Sequence, residues 1–284
     1  MRKILITGAN GFVGKHLVKK LSKNKKIKVI KPNKKSLDVR KKMKWNKQPK
    51  SDILIHLAGQ SFVPFTWKNP SETNKINVQG VKYALDYCKK YNTKIIFISS
   101  YLYGNPKKLP SNEKSKIKIL NPLARSKFKA EKICKYYSKK YGVKTIILRP
   151  SNIYGFGQNS FWLIPELLRK CKKRKIVVSN INIKRDFIYI SDFTEAIIKS
   201  MNLKKNFEII NIGGGKNFSI YKIIKTIGKI YKKYITIKNK NLFRKNEILE
   251  TKIDIKKAKK LLKWKACWNL KRGLKATIEK EMGV

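Results

Sequence analysis

The chain lacks several residue types that would have fixed its class. In 284 residues it has two histidines, four cysteines and 16 acidic residues. Cys88, Cys134, Cys171 and Cys267 are far apart and form no C-x-x-C pair, and only His16 and His56 stand beside them as metal donors. That argues against a zinc site and a disulfide framework, and it fits a reducing, cytoplasmic setting. No apolar run approaches the roughly 20 residues that a membrane span needs. The N-terminus runs straight into a strand pattern, so no signal peptide is expected.

The shortage of acid leaves a net charge of +54, carried by 61 lysines and nine arginines. Two readings compete. One is a polyanionic partner such as nucleic acid or anionic lipid. The other is a genome rich in A and T, whose codons favour Lys, Asn and Ile. Nucleic-acid sites lean on arginine for bidentate contacts. Here lysine dominates and is spread along the whole chain, which favours the second reading and a solvated basic surface.

The apolar fraction is 42%, enough for a real core. The most informative stretch comes first. Ile4-Leu5-Ile6-Thr7 reads as a strand, Gly8-Ala9-Asn10-Gly11-Phe12-Val13-Gly14 as a glycine-rich turn, and His16 to Leu21 as a helix. Gly8 can take backbone angles closed to other residues. Gly11 has no Cβ to keep a pyrophosphate away, and Gly14 allows close packing of the helix on the strand. The phosphates then meet the positive end of the helix dipole. A strand before and a helix after the turn make this a dinucleotide site rather than an ordinary tight turn.

Further strand patterns follow at 28–30, 52–57, 94–100 and 144–148, with helical patterns at 70–90 and 122–140. Continuous apolar strands alternating with helices imply an α/β fold, a doubly wound parallel sheet buried on both faces. The dinucleotide-binding domain is expected over 1–152, with residues around 184–203 rejoining it. Residues 153–284 are expected to form mainly a smaller substrate lobe. After the second strand, where an acidic residue would hold the ribose 2′-hydroxyl of NAD, stand Lys31, Lys34 and Lys35. That tilts the expected cofactor toward NADP, with NAD the alternative.

By this point several segments resemble one family, the extended short-chain dehydrogenases of the NAD-dependent epimerase/dehydratase type that act on nucleotide sugars. They are Thr7 to Gly14, Ser36-Leu37-Asp38-Val39, His56-Leu57-Ala58-Gly59, Asn77-Val78-Gln79-Gly80 and Ser99-Ser100-Tyr101-Leu102-Tyr103-Gly104. Arg149-Pro150-Ser151-Asn152-Ile153-Tyr154-Gly155, Arg185 to Asp192, Asn211-Ile212-Gly213 and Leu262-Lys263-Trp264 continue the series in the family's order. The segment from His56 to Gly80 looks closest to reductases and dehydratases of GDP-6-deoxy sugars.

The resemblance implies a Rossmann-type sheet, a nucleotide-sugar substrate linked to GDP, UDP or dTDP, and a homodimer formed through the helices at 70–90 and 122–140. It assigns cofactor binding to Gly8, Asn10, Gly11, Phe12, Val13, Gly14, Asp38, Val39, Leu57, Ala58, Gly59, Asn77 and Lys127. It assigns substrate binding to Ser61, Ser99, Ser100, Asn152, Arg185 and Arg244. The family's catalytic pair is Tyr-x-x-x-Lys. The matching stretch, Asn121 to Lys127, keeps the lysine and carries Leu123 at the tyrosine position. In the family the tyrosine exchanges a proton with the sugar hydroxyl, and the lysine lowers its pKa and holds the nicotinamide ribose. Leucine cannot move a proton.

The dehydratases of the family often carry an acid two positions before the Tyr-Gly of Tyr103-Gly104. Tyr101 stands there, which argues against a 4,6-dehydratase. Tyr101 is either a relocated acid/base or a packing aromatic.

The expected function is an NAD(P)-dependent nucleotide-sugar oxidoreductase, a 4-keto reductase or 4-epimerase, with Ser99, Tyr101 and Lys127 as catalytic residues. The rivals are a member that binds cofactor and nucleotide sugar without chemistry, and an RNA-associated member of the superfamily. If the lysine excess is codon-driven, retention of RNA and DNA is sequence-blind and fades between about 50 and 200 mM salt in filter binding. Sequence-selective RNA binding at physiological salt would support the RNA-associated rival.

Overall fold

Ile4, Leu5 and Ile6 are wholly buried, as are Leu54, Ile55, Ile95 and Ile96, because helices cover both faces of the sheet these residues build. The computed structural model describes residues 1–244 and 246–283. The first half alternates strand and helix. β1 (Arg2–Thr7), α1 (Phe12–Leu21), β2 (Ile27–Ile30), α2 (Lys42–Asn46) and β3 (Ile53–His56) come first. They are followed by α3 (Val63–Lys68), α4 (Pro70–Asn74), α5 (Gly80–Tyr91), β4 (Lys94–Ile98), α6 (Pro122–Tyr141) and β5 (Thr145–Pro150).

The second half runs β6 (Asn152–Tyr154), α7 (Leu163–Lys170), β7 (Lys175–Val178), β8 (Lys184–Tyr189), α8 (Ile190–Met201) and β9 (Phe207–Ile212). β10 (Asn217–Ser219), α9 (Ile220–Ile230), β11 (Thr236–Asn239), α10 (Lys256–Leu262) and α11 (Leu270–Met282) complete it.

The main sheet has six strands in the order β2-β1-β3-β4-β5-β9. Every pairing is parallel. Ile4 pairs with Val29 on one side and with Ile53 on the other, so β1 is central and the strand order reverses beside it. In open α/β sheets that reversal leaves a crevice at the carboxyl ends of the strands, where ligands bind.

The helix predicted over 70–90 forms, with an interruption. α4 runs through a π turn, Lys75–Gln79, into α5, and the π turn carries Asn77. Such turns occur frequently at functional sites because they re-aim one side chain. α6 is capped at both ends. The Asn121 side chain accepts from the Ala124 N–H at 2.8 Å, Pro122 opens the helix, and Gly142 closes it in the left-handed conformation at φ 67°.

The smaller lobe holds a three-stranded sheet, β10-β8-β6, and a β11-β7 pair. Its own core gathers Ile164, Leu167 and Leu168 of α7 with Ile223, Ile224 and Ile227 of α9 and Leu274 of α11. Residues of α8 and of the 262–264 segment join the core of the main sheet. Phe193 and Ile197 of α8 pack in one core with Ile4 and Ile6, and so do Leu262 and Trp264. β9 pairs with β5 from Thr145↔Phe207 to Pro150↔Ile212, giving the sheet its sixth strand. Among the described residues no helix is long and apolar enough to cross a membrane.

The β1–α1 turn is closely packed, backbone against backbone. A Cβ on Gly14 would stand 2.2 Å from the Gly8 carbonyl oxygen and 2.6 Å from Ala9 backbone atoms. Backbone cannot yield as a side-chain tip can. Gly14→Ala is therefore expected to cost about 1–3 kcal/mol by overpacking. For a chain of this size that lowers the melting temperature by roughly 3–10 °C, measurable by calorimetry.

Candidate active site and dinucleotide cleft

A cleft of about 340 Å³ opens at the carboxyl ends of β1 and β3, lined by the 7–11 turn, residues 32–34 and 37–40, Ala58 to Gln60, Glu72 and Ile76. Gly8 adopts φ +69°, and a Cβ there would come within 2.8 Å of the Ala58 N atom. The turn is thus pressed against β3's exit, and Thr7 stitches the two together. Its hydroxyl accepts from the Ala58 N–H at 3.2 Å and bonds His56 Nδ1 at 3.1 Å. Gly11 is the N-cap of α1 without a side-chain cap, and the first turn carries no acid, so the leading N–H groups are free for an anion.

The predicted cofactor residues separate by role. Asn10, Gly11, Asp38, Val39, Ala58 and Gly59 line the cleft. Phe12, Val13 and Leu57 pack their side chains into the hydrophobic cores. Residues at the start of α1 can therefore offer only backbone to a ligand. Val39 also backs the π-helical segment, because a Cβ on Gly80 would lie 3.2 Å from Val39 Cγ2. Of the three lysines after β2, Lys34 lines the cleft.

Sequence reasoning missed the ion cluster at this end. Arg40 donates through Nε to Asp38 Oδ1 at 2.9 Å and through Nη1 to Glu72 Oε1 at 2.5 Å. The guanidinium holds the Asp38 carboxyl down at about 2. Arg40 directly follows the Asp38-Val39 motif, which was the signal available, but Glu72 arrives from α4 and no local pattern joins them.

At the other end lies Lys127. It is 7% exposed, and its amine donates to the Ile98 carbonyl at 2.8 Å. A Cβ on Gly59 would stand 3.1 Å from Asn77 Oδ1 and 3.3 Å from Lys127 Nζ, so these predicted residues do meet. Asn77 is tied on three sides. Its Oδ1 accepts from the Gln60 N–H at 2.8 Å, and its Nδ2 donates to the Gln60 carbonyl and the Ser126 hydroxyl, each at 2.9 Å. Burial lowers the Lys127 pKa to about 8, while Glu131 opposes the shift. Leu123 is buried one turn before Lys127. Ser99 follows β4 directly and donates to Glu131 Oε1 at 2.5 Å.

Tyr101 lies edge-on to Tyr103, its hydroxyl donating to the Gly104 carbonyl at 3.1 Å. Burial raises its pKa, Ser111 opposes the shift by hydrogen bonding, and Tyr103, Arg185 and Asp186 act on it more weakly through charge. Arg185 Nη2 bonds Glu247 Oε1 at 2.7 Å, a partner that sequence reasoning did not identify. Burial depresses the Arg185 pKa, Glu247 opposes the shift, and the charge of the exposed Arg244 adds a smaller lowering. Asn152 donates to the Asp186 carbonyl at 2.9 Å, Ser100 is half-buried and Ser61 is exposed.

Comparison with known proteins places the chain among nucleotide-sugar epimerases, reductases and dehydratases. The model of the NAD dependent epimerase/dehydratase family matches residues 4–213. A protein of Methanocaldococcus jannaschii named putative UDP-glucose 4-epimerase is 33% identical over 302 residues, covering 97% of each chain. The structure of UDP-glucuronic acid 4-epimerase from Bacillus cereus, in complex with UDP-glucuronic acid and NAD, superposes with a TM-score of 0.88 at 27% identity. It covers 99% of each chain. The structure of RMD from Pseudomonas aeruginosa complexed with NADPH superposes with a TM-score of 0.92 at 25% identity, over 100% of each chain.

The buried lysine gives the site a pH dependence. A base whose pKa is lowered to about 8 keeps its charge below that value and loses it as pH rises through it. Affinity for an anionic dinucleotide is expected to fall as pH rises from 7 to 9 when NADPH is titrated by fluorescence. Lys127→Met should bind more weakly and without that limb. An unchanged limb in Lys127→Met would assign it to another group.

Proposed function

The chain belongs to the NAD dependent epimerase/dehydratase family, and from that membership we propose that it is an NAD(P)-linked oxidoreductase of nucleotide sugars working at C4 of the sugar, a 4-epimerase or 4-keto reductase. The observation that carries the reading is the buried Lys127 amine. It is held between the Gly59–Asn77 contact and the Ile98 carbonyl, beside Ser99 and at the end of the dinucleotide cleft.

The residues present fit a dinucleotide. Gly8 and Gly11 line the cleft, Gly14 lets α1 close against the Gly8 carbonyl, and the start of α1 has no side-chain cap. When bound, the nicotinamide supplies a carrier for hydride taken from or returned to the sugar carbon. Asp38 and Val39 wall the adenine end. Lys34 supplies the positive charge that a ribose 2′-phosphate requires, so NADP is the preferred cofactor. Lys127 orients the ribose nearest the reacting carbon and keeps a positive charge there. Asn152, Arg185 and Arg244 face the sugar nucleotide, with arginine suited to a diphosphate.

Proton handling distinguishes this chain from the family pattern. With Leu123 in the tyrosine position, no phenol stands one turn from Lys127. The Tyr101 hydroxyl would have to leave the Gly104 carbonyl to act in its place. A member that binds both ligands without turnover is the second reading, and the buried Leu123 favours it.

Two measurements test the proposal. Lys34→Glu is expected to lower NADPH affinity at least tenfold while leaving NADH binding nearly unchanged, by calorimetry. Equal loss of both would remove Lys34 from cofactor selection. Hydride transfer, followed by nicotinamide absorbance over a panel of UDP-, GDP- and dTDP-linked sugars and their 4-keto forms, is expected to be slow in the wild type. It should rise in Leu123→Tyr toward the 10²–10⁴-fold that a positioned acid/base contributes. Tyr101→Phe should lose a similar factor if the phenol serves in place of the family tyrosine, and little if it only packs. Silence of the wild type and Leu123→Tyr, with both ligands bound, leaves the non-catalytic reading standing.

A further inference from the structure

Behind Ser99 lies a buried polar chain that the proposed reaction does not use. Glu131 is one turn beyond Lys127 on α6 and 4% exposed; Arg149, on β5, is 3% exposed. Arg149 grips both carboxylate oxygens, Nε to Oε1 at 2.9 Å and Nη2 to Oε2 at 2.5 Å. Its Nη1 donates to the Tyr103 hydroxyl at 3.0 Å, and Tyr103 donates to Asn211 Oδ1 at 2.7 Å. Asn211 in turn donates to the Ser111 carbonyl at 3.2 Å. Each of these side chains is buried and partnered, so the chain is rigid and its bonds have fixed directions.

That direction matters at Ser99. A carboxylate clamped by a guanidinium accepts only, so the 2.5 Å bond to Glu131 must use the single proton of the Ser99 hydroxyl. Any further group that reaches Ser99 Oγ meets lone pairs. We propose that Glu131, held by Arg149, is a positioning residue that makes Ser99 a hydrogen-bond acceptor, so that the site reads a sugar carbon bearing a hydroxyl in preference to one bearing only an acceptor. This inference rests on the nucleotide-sugar reading above and sharpens it. A resting site that selects a C4 hydroxyl suits an epimerase, which receives and releases alcohols, better than a reductase, which receives a ketone.

The probes are UDP-glucose and UDP-4-deoxy-4-fluoroglucose, equal in shape and differing in the C4 proton. They are titrated by calorimetry with NADPH present, so that no hydride leaves the sugar. The wild type is expected to bind UDP-glucose about five- to tenfold more tightly, the worth of one hydrogen bond. In Glu131→Gln the carboxamide oxygen stays with Arg149 Nη2, and its NH₂ takes the place of Oε1, facing Ser99 at the loss of the Arg149 Nε bond. The serine proton is freed, and the ratio should fall to about one. Ser99→Ala leaves the ion pair intact and should give the same ratio.

A merely structural role would weaken both probes alike and leave the ratio unchanged, which overturns the proposal. A wild-type ratio of one, or an unaltered ratio in Ser99→Ala, also overturns it while sparing the nucleotide-sugar reading. Binding of neither probe by the wild type overturns the UDP-sugar reading and this inference together.

Discussion

A helix can be brought end-on against the exits of two buried strands only where no side chain stands between them. In this chain the contact is between Gly14 and the Gly8 carbonyl, with Gly8 pressed in turn against Ala58. The approach sets the cleft's floor. It places the uncapped start of α1 beside the exit of β3, and Thr7 fastens the pair through Ala58 and His56. A Cβ on Gly14 would meet the Gly8 carbonyl, and one on Gly8 would meet the Ala58 backbone, so either would force these elements apart.

The opposite end of the site depends on α6. Asn121 and Pro122 fix where this helix starts, and the helical period then puts Lys127 and Glu131 on one buried face. Two opposite charges in that setting are tolerable because each has a partner elsewhere. Lys127 donates to the Ile98 carbonyl and Glu131 is held by Arg149. Removing one partner of such a buried pair leaves a charge in low dielectric and is typically costly, by about 3–5 kcal/mol. The Lys127–Glu131 end is therefore held for an electrostatic reason, as the glycine turn is for a steric one.

The second half of the chain serves both lobes. β9 extends the main sheet beside β5, and α8 shares the core beneath that sheet with Ile4 and Ile6 of β1. Trp264 Nε1 donates to the Asp192 carbonyl at 3.0 Å, so the C-terminal segment is stitched to α8. The small lobe keeps its own core between α7, α9 and α11. Arg185 on β8 is paired with Glu247 at 2.7 Å.

The sequence alone determined the parallel sheet, the glycine turn and the helix bearing Lys127. Each is written in residues that are neighbours along the chain: an apolar run, glycines at the turn and a four-residue spacing on one helical face. It also carried a family resemblance, because ordered motifs survive as local strings. What it could not determine is which distant side chains share a proton or a charge. Arg40 with Glu72, Ser99 with Glu131 and Arg185 with Glu247 join residues 32 or more positions apart. Tyr101 was ambiguous in the string, and the fold turned its hydroxyl onto the Gly104 carbonyl. Local patterns encode backbone conformation and burial, which depend on neighbours. Hydrogen-bond partners and their direction depend on where the folded chain crosses itself, and only the tertiary structure decides that.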